Sequence, residues 1–167
     1  MIIPGVLDSD LYVVFCGTAA SPTSAAEMGY YVGRGSKFWP VLNKTGLTPV
    51  QIGPKDFASI RFCKLGLADL AQSVAVRDAD LRHGDFDVPG FMAKIRDDHP
   101  VCVAFNGPNA ARRVLMRHDL AYGPQSDLAH ASTVWMLPST GGANNGQWDE
   151  KPWHDLADAV TRLRGAA

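Results

Sequence analysis

Apolar residues along this chain gather in short uninterrupted runs separated by loops of small and polar residues. Leu11-Tyr-Val-Val-Phe-Cys16 is the first run, and it leads into the small-residue segment Gly17-Thr-Ala-Ala-Ser-Pro22. A second run, Val101 to Phe105, ends in Asn106-Gly107-Pro108, and a third, Thr133 to Leu137, ends in Pro138-Ser-Thr-Gly-Gly142. Ile60 to Leu67 is a fourth candidate. Runs of this length without alternation predict strands buried on both faces. Helical spacing lies between them. Ser36 to Asn43 has Ser36 as a candidate N-cap, Gly90 to Asp98 places Phe91, Met92 and Ile95 on one stripe, and Pro108 to His118 starts with proline near the first turn. Trp148, Leu156, Val160 and Leu163 share a stripe near the end of the chain.

Strands alternating with helices predict an α/β fold, a three-layer α/β/α sandwich around a mostly parallel four-stranded sheet. Such folds bind ligands at the carboxyl ends of their strands. The site is therefore expected among Gly17 to Ser21, the region after Leu67, and Pro138 to Asn144.

Composition narrows the class. The 167 residues carry 16 basic and 17 acidic side chains, a net charge of -1, with 46% hydrophobic residues. That suits one globular domain, 1–167, and excludes a disordered or collagen-like chain. No apolar run approaches the roughly 20 residues that span a bilayer, so no membrane association is expected. No secretory leader pattern opens the sequence. Cys16, Cys63 and Cys102 are widely spaced within apolar runs and read as buried thiols of a reducing cytoplasm. Neither they nor the five histidines have metal-ligand spacing, so no metal or other cofactor is expected. Charge is uneven, however. Between Met28 and Leu67, Arg34, Lys37, Lys44, Lys55, Arg61 and Lys64 face only Asp56. That stretch is either a solvated face or a patch that tracks phosphates.

Four segments in order carry a resemblance. They are Val13-Val-Phe-Cys-Gly17 followed by Gly29-Tyr-Tyr31, then Arg34-Gly-Ser-Lys-Phe-Trp39, Phe105-Asn-Gly107, and Leu137-Pro-Ser-Thr-Gly-Gly-Ala-Asn144. Together they resemble the uracil-DNA glycosylase superfamily, closest to its mismatch-specific (thymine/uracil) branch. The resemblance implies a DNA-repair enzyme that hydrolyses the N-glycosidic bond of uracil and leaves an abasic site. It would act as a monomer, without lyase chemistry, on single-stranded or mismatched DNA. The sequence departs from the family in its first motif, Gly17-Thr-Ala-Ala-Ser21, where Ala19 replaces the polar residue that positions the attacking water.

Residue roles follow from the resemblance. Asp69 in Gly66-Leu-Ala-Asp69 is the candidate for the missing polar function: it would stabilise the cationic sugar, orient water, or accept the imide N–H of the base. Otherwise it is a helix cap or a surface aspartate. Glu27 is a weaker second carboxylate. Gly17 would border the base, and Thr18 and Ala19 would offer backbone N–H groups to its carbonyl. Tyr31 would stack on the flipped base, with Tyr30 able to exchange roles. Asn106 would reach the base or cap the following helix. Ser21, Arg34, Lys37, Lys64 and the loop Pro138, Ser139, Thr140, Gly141, Gly142, Ala143 and Asn144 would meet DNA. For the serines, ordinary turn hydroxyls are the rival reading. Ala143 and Asn144 stand where relatives place a large wedge, so active extrusion of the base is expected to be weak.

Overall fold

A computed structural model describes residues 2–166, without the side chains of Leu128, Asn144 and Asn145. Five strands form one sheet: β1 (Val13–Ala20), β2 (Leu65–Ala75), β3 (Cys102–Asn106), β4 (Gly123–Ala129) and β5 (Ser132–Leu137). Their order is β2-β1-β3-β5-β4. All neighbours run parallel except β4, which pairs antiparallel with β5. The sheet thus has one strand more than the four expected. β4, Gly-Pro-Gln-Ser-Asp-Leu-Ala, escapes recognition because an edge strand need not be apolar.

The helices are α1 (Pro22–Glu27), α2 (Phe38–Lys44), α3 (Val88–Asp98), α4 (Pro108–Leu115) and α5 (Lys151–Ala166), with a 3-10 segment over Pro54–Cys63. Ser21, not Ser36, is a side-chain N-cap: its hydroxyl accepts from the Ser24 N–H at 3.1 Å. Asp87 caps α3 in the same way.

The period of two along each strand sorts side chains to opposite faces. Val13, Phe15, Leu65, Leu67, Ala104 and Leu137 meet α2 and α5, where Phe38, Leu42, Trp153 and Leu156 are fully buried. Val14, Cys16, Ala68, Leu70, Val103 and Phe105 meet Phe91 and Ile95 of α3 and Ala110 and Ala111 of α4. Cys16 and Cys102 are buried as expected, whereas Cys63 is half-buried. The segment before β1 lies along the outer edge of β2, where Val6 exchanges backbone hydrogen bonds with Leu67. That contact covers part of an edge otherwise open to pairing.

Two differences from the sequence expectation shape the site. Gly17 to Ala20 is not a loop, because β1 continues through it beside β2. Ile60 to Leu67 is not one strand: its first part ends the 3-10 segment, and β2 starts at Leu65 and runs to Ala75. Asp69 therefore lies within a strand, paired in register with Gly17.

Candidate active site

The chain crosses the sheet in opposite directions from β1, to β2 on one side and to β3 on the other. This is the switch point at which open α/β sheets bind ligands. The strands differ in length there. Pairing between β1 and β3 stops at Cys16 and Phe105, while β1 and β2 continue past Gly17 and Asp69. A cavity of ≈ 180 Å³ opens in the gap. It is lined by Gly17 to Ser21, Tyr30, Tyr31, Asp69, Asn106 and Ser139 to Gly142, together with Ile3, Ser36 and Asp78. Its volume is below the roughly 300–1,000 Å³ of sites for drug-sized ligands, so it suits one small ring.

Asp69 is a buried carboxyl in the wall of this cavity. Its residue is 8% exposed. Burial, and then the negative charge of Asp78, push its carboxyl from the ordinary 3.8 up to about 7. Gly17 is required opposite it: a Cβ there would lie 2.8 Å from Asp69 Oδ1 and 3.1 Å from the Tyr31 hydroxyl. Tyr31 takes a left-handed backbone conformation, φ 56°, and its ring packs on Phe38 at 4.1 Å between centroids. Burial, and then the charge of Asp69, drive its phenol well above the usual range, so it stays protonated as a donor. The Tyr31 and Ser36 hydroxyls are both buried and make no well-formed hydrogen bond. Two unsatisfied hydroxyls beside a buried carboxyl define a polar pocket prepared for polar atoms.

Asn106 acts as a clamp. Its amide donates to Thr140 Oγ1 at 2.9 Å, and its carbonyl accepts the Thr140 N–H at 3.0 Å. It does not cap α4, whose N-cap is Gly107 with no side-chain bond. Thr140 in turn accepts the Lys37 N–H at 2.9 Å. A Cβ at Gly142 would collide with the Arg34 carbonyl, so only glycine fits there. The Pro138–Gly142 loop and the Arg34–Lys37 stretch, about a hundred residues apart, are thereby joined at the cavity rim. Trp153 holds the same loop through Nε1 to the Pro138 carbonyl at 3.1 Å.

Other expected site residues fall elsewhere. Lys64 sits where β2 begins, at the opposite end of the parallel sheet from the cavity, and pairs with Asp10 at 2.8 Å. It has no place in this site. Lys44, from the same basic stretch, pairs with Glu150 at 2.9 Å. Glu27 is exposed at the end of α1 and does not line the cavity. Ala19 is half-buried beside Ala71, and Ala143 is exposed. The side chain of Asn144 lies outside the described residues. Sequence reasoning missed Asp78, whose carboxylate accepts from Thr18 Oγ1 at 2.6 Å and Asn109 Nδ2 at 3.2 Å. Within Arg77-Asp-Ala-Asp-Leu-Arg82 it has the pattern of an ordinary solvated turn, and no local signal marks it.

No family model matches this sequence. Among solved structures, the chain is similar to the solution NMR structure of a "putative Uracil DNA glycosylase" from Methanosarcina acetivorans. The TM-score is 0.66 at 20% identity, covering 95% of this chain and 96% of that one. At that identity the likeness establishes the fold: an α/β/α sandwich of the uracil-DNA glycosylase type along nearly the whole chain.

Proposed function

We propose that this protein is a monofunctional DNA glycosylase that removes uracil from DNA. The observation that carries the reading is the small cavity at the sheet's switch point, with buried Asp69 facing Gly17 and with Tyr31 and Ser36 hydroxyls that make no well-formed hydrogen bond. The fold likeness supports it. The base enters this cavity after leaving the stack, at a cost of a few kcal/mol that is least for single-stranded or mismatched DNA. Water adds to C1′ of the sugar while the C1′–N1 bond breaks, and the bond's electron pair leaves with the base. Of the Thr18 and Ala19 N–H groups, the one on the β1 edge that β3 leaves free meets, with the Tyr31 and Ser36 hydroxyls, the charge that develops on the base oxygens. Ionised Asp69 faces the cationic sugar and takes the proton of the attacking water, the function that Ala19 has no group to perform. Among the described residues no lysine lines the cavity, which favours water over an amine as nucleophile. The rim formed by Arg34, Lys37, Ser139 and Gly142 carries the DNA backbone.

Ala19 favours one second reading, a protein that binds uracil or abasic sites in DNA with slow chemistry. Base release from uracil-containing DNA, single-stranded or opposite guanine or adenine, decides between them when read by alkaline strand cleavage. Release is the expected result. Tight binding to the same DNA without release would shift the function to recognition, and failure of both would reject the proposal.

A further inference from the structure

Gly17 and Thr18 are consecutive in a strand and point to opposite faces of the sheet. Gly17 borders the base cavity. Thr18 also lines a second and larger cavity of ≈ 590 Å³ on the α4 side, and Asp78 belongs to both walls. The second cavity is bordered by Arg112 and Arg113 of α4, by His83 and His118, and by the apolar surfaces of Phe86 and Met116. Its chemistry is the reverse of the first. Lys44, Lys64, Arg77, Arg96, Arg117 and Lys151 all pair with carboxylates. Arg112 and Arg113 pair with no carboxylate among the described residues. Arg113 Nη1 instead lies 2.8 Å from His83 Nδ1, and its guanidinium stacks 4.2 Å over the Phe86 ring. Met116, in a left-handed position after α4, is 84% exposed. The one acidic group between the cavities, Asp78, is held by Thr18 and Asn109.

Guanidinium groups without a carboxylate partner, beside an aromatic and an exposed apolar surface, are the elements of single-strand binding grooves, in which cations follow the phosphates and bases lie on flat groups. The volume is within the range that holds a ligand of nucleotide size. We infer that this second cavity binds the nucleotide adjacent to the flipped one, on one side of the lesion only, in single-stranded DNA. Arg112 and Arg113 hold its phosphates, and its base lies on Met116 and on the outer face of the Arg113 guanidinium, which Phe86 backs. This inference rests on the glycosylase reading of the first cavity. It adds a strand direction, because the two cavities meet at the wall that Thr18 and Asp78 share.

The test uses the full chain and single strands carrying one 2′-fluorinated deoxyuridine, whose glycosidic bond resists hydrolysis. The strands are extended on the 5′ side only or on the 3′ side only. For the wild type, one extension tightens binding and the other does not. The double variant Arg112→Ala/Arg113→Ala loses that gain, about tenfold at low salt, and its salt slope falls by about 1 to 1.5, at ≈ 0.7 per phosphate on a single strand. Met116→Glu, at an exposed position, produces the same one-sided loss without touching the core. Arg162→Ala, exposed on α5 across the sheet, leaves both extensions as in the wild type. Equal losses on both extensions, or an unchanged slope, would overturn the groove while the glycosylase reading stands. No binding of any strand by the wild type would overturn both.

Discussion

The two cavities meet at Thr18 and Asp78 yet use charge in opposite ways. In the first, one carboxyl is enclosed, and its environment sets its protonation: Asp69 is held near neutrality by burial and by Asp78. In the second, the cations lack carboxylate partners, Arg112 exposed and Arg113 half-buried, and gain their effect from number and position. An enclosed charge is expensive and therefore tunable, which suits a chemical step. Exposed charges are inexpensive and screened by salt, which suits reversible contact with a polyanion. On the proposed reading the contrast separates chemistry from grip, and each side can be broken without the other.

Asp69→Asn breaks the enclosed side most severely. Base release falls by orders of magnitude while DNA binding stays near the wild-type level, and an unchanged rate would remove Asp69 from the mechanism. The same variant carries a stability signature with a defined sign. Between about pH 4 and 7 the folded protein keeps the Asp69 proton that the unfolded chain loses, so wild-type stability falls as pH rises through that window. The raised carboxyl corresponds to a loss on the order of 4 kcal/mol across it. Asp69→Asn lacks this decline, as urea unfolding at pH 4, 5.5 and 7.5 will show. Release by the wild type rises over the upper part of the same range, since the ionised form acts. Parallel stability curves for the two proteins would mean that Asp69 is not held protonated.

Gly17→Ala has the next largest effect. Its methyl group would press on Asp69 Oδ1 and the Tyr31 hydroxyl, costing about 1–3 kcal/mol in overpacking and reducing release. Thermal unfolding checks the first part, at about 2–4 °C per kcal/mol for a chain of this size. A Tm equal to the wild type's would show that the cavity wall yields. The smallest effects belong to the basic stretch, where two of its cations are expected to differ. Arg34→Glu, at the cavity rim, lowers the salt slope of DNA binding by about one. Lys64→Ala, at the far end of the sheet, leaves the slope unchanged. Equal slopes for the two variants would reduce the rim to ordinary surface.

Much of this arrangement is legible in the amino-acid sequence. The cores of β1, β3 and β5 are legible because a strand buried on both faces must be an unbroken apolar run. Their ends are legible because glycine, proline and small polar residues follow each one. The start of β2 is not legible, because the 3-10 segment before it is also apolar near its end and Ile60 to Leu67 reads as one element. Glu27 and Lys64 were attractive as residue types, but position excludes them.

The sequence by itself determined the layers, four of the five helices and the end of the sheet at which the cavity opens, because periodicity and turn chemistry are local properties of the chain. It also identified Asp69, Tyr31 and the Pro138–Gly142 loop as candidates through their resemblance to a known pattern. Only the tertiary structure decided that Gly17 is the one residue type that fits opposite Asp69, that Asn106 is a clamp, and that Asp78 divides two cavities. Those are relations between residues tens of positions apart. Burial and charge at such contacts depend on which strands run past their neighbours, and no local pattern in the chain records that.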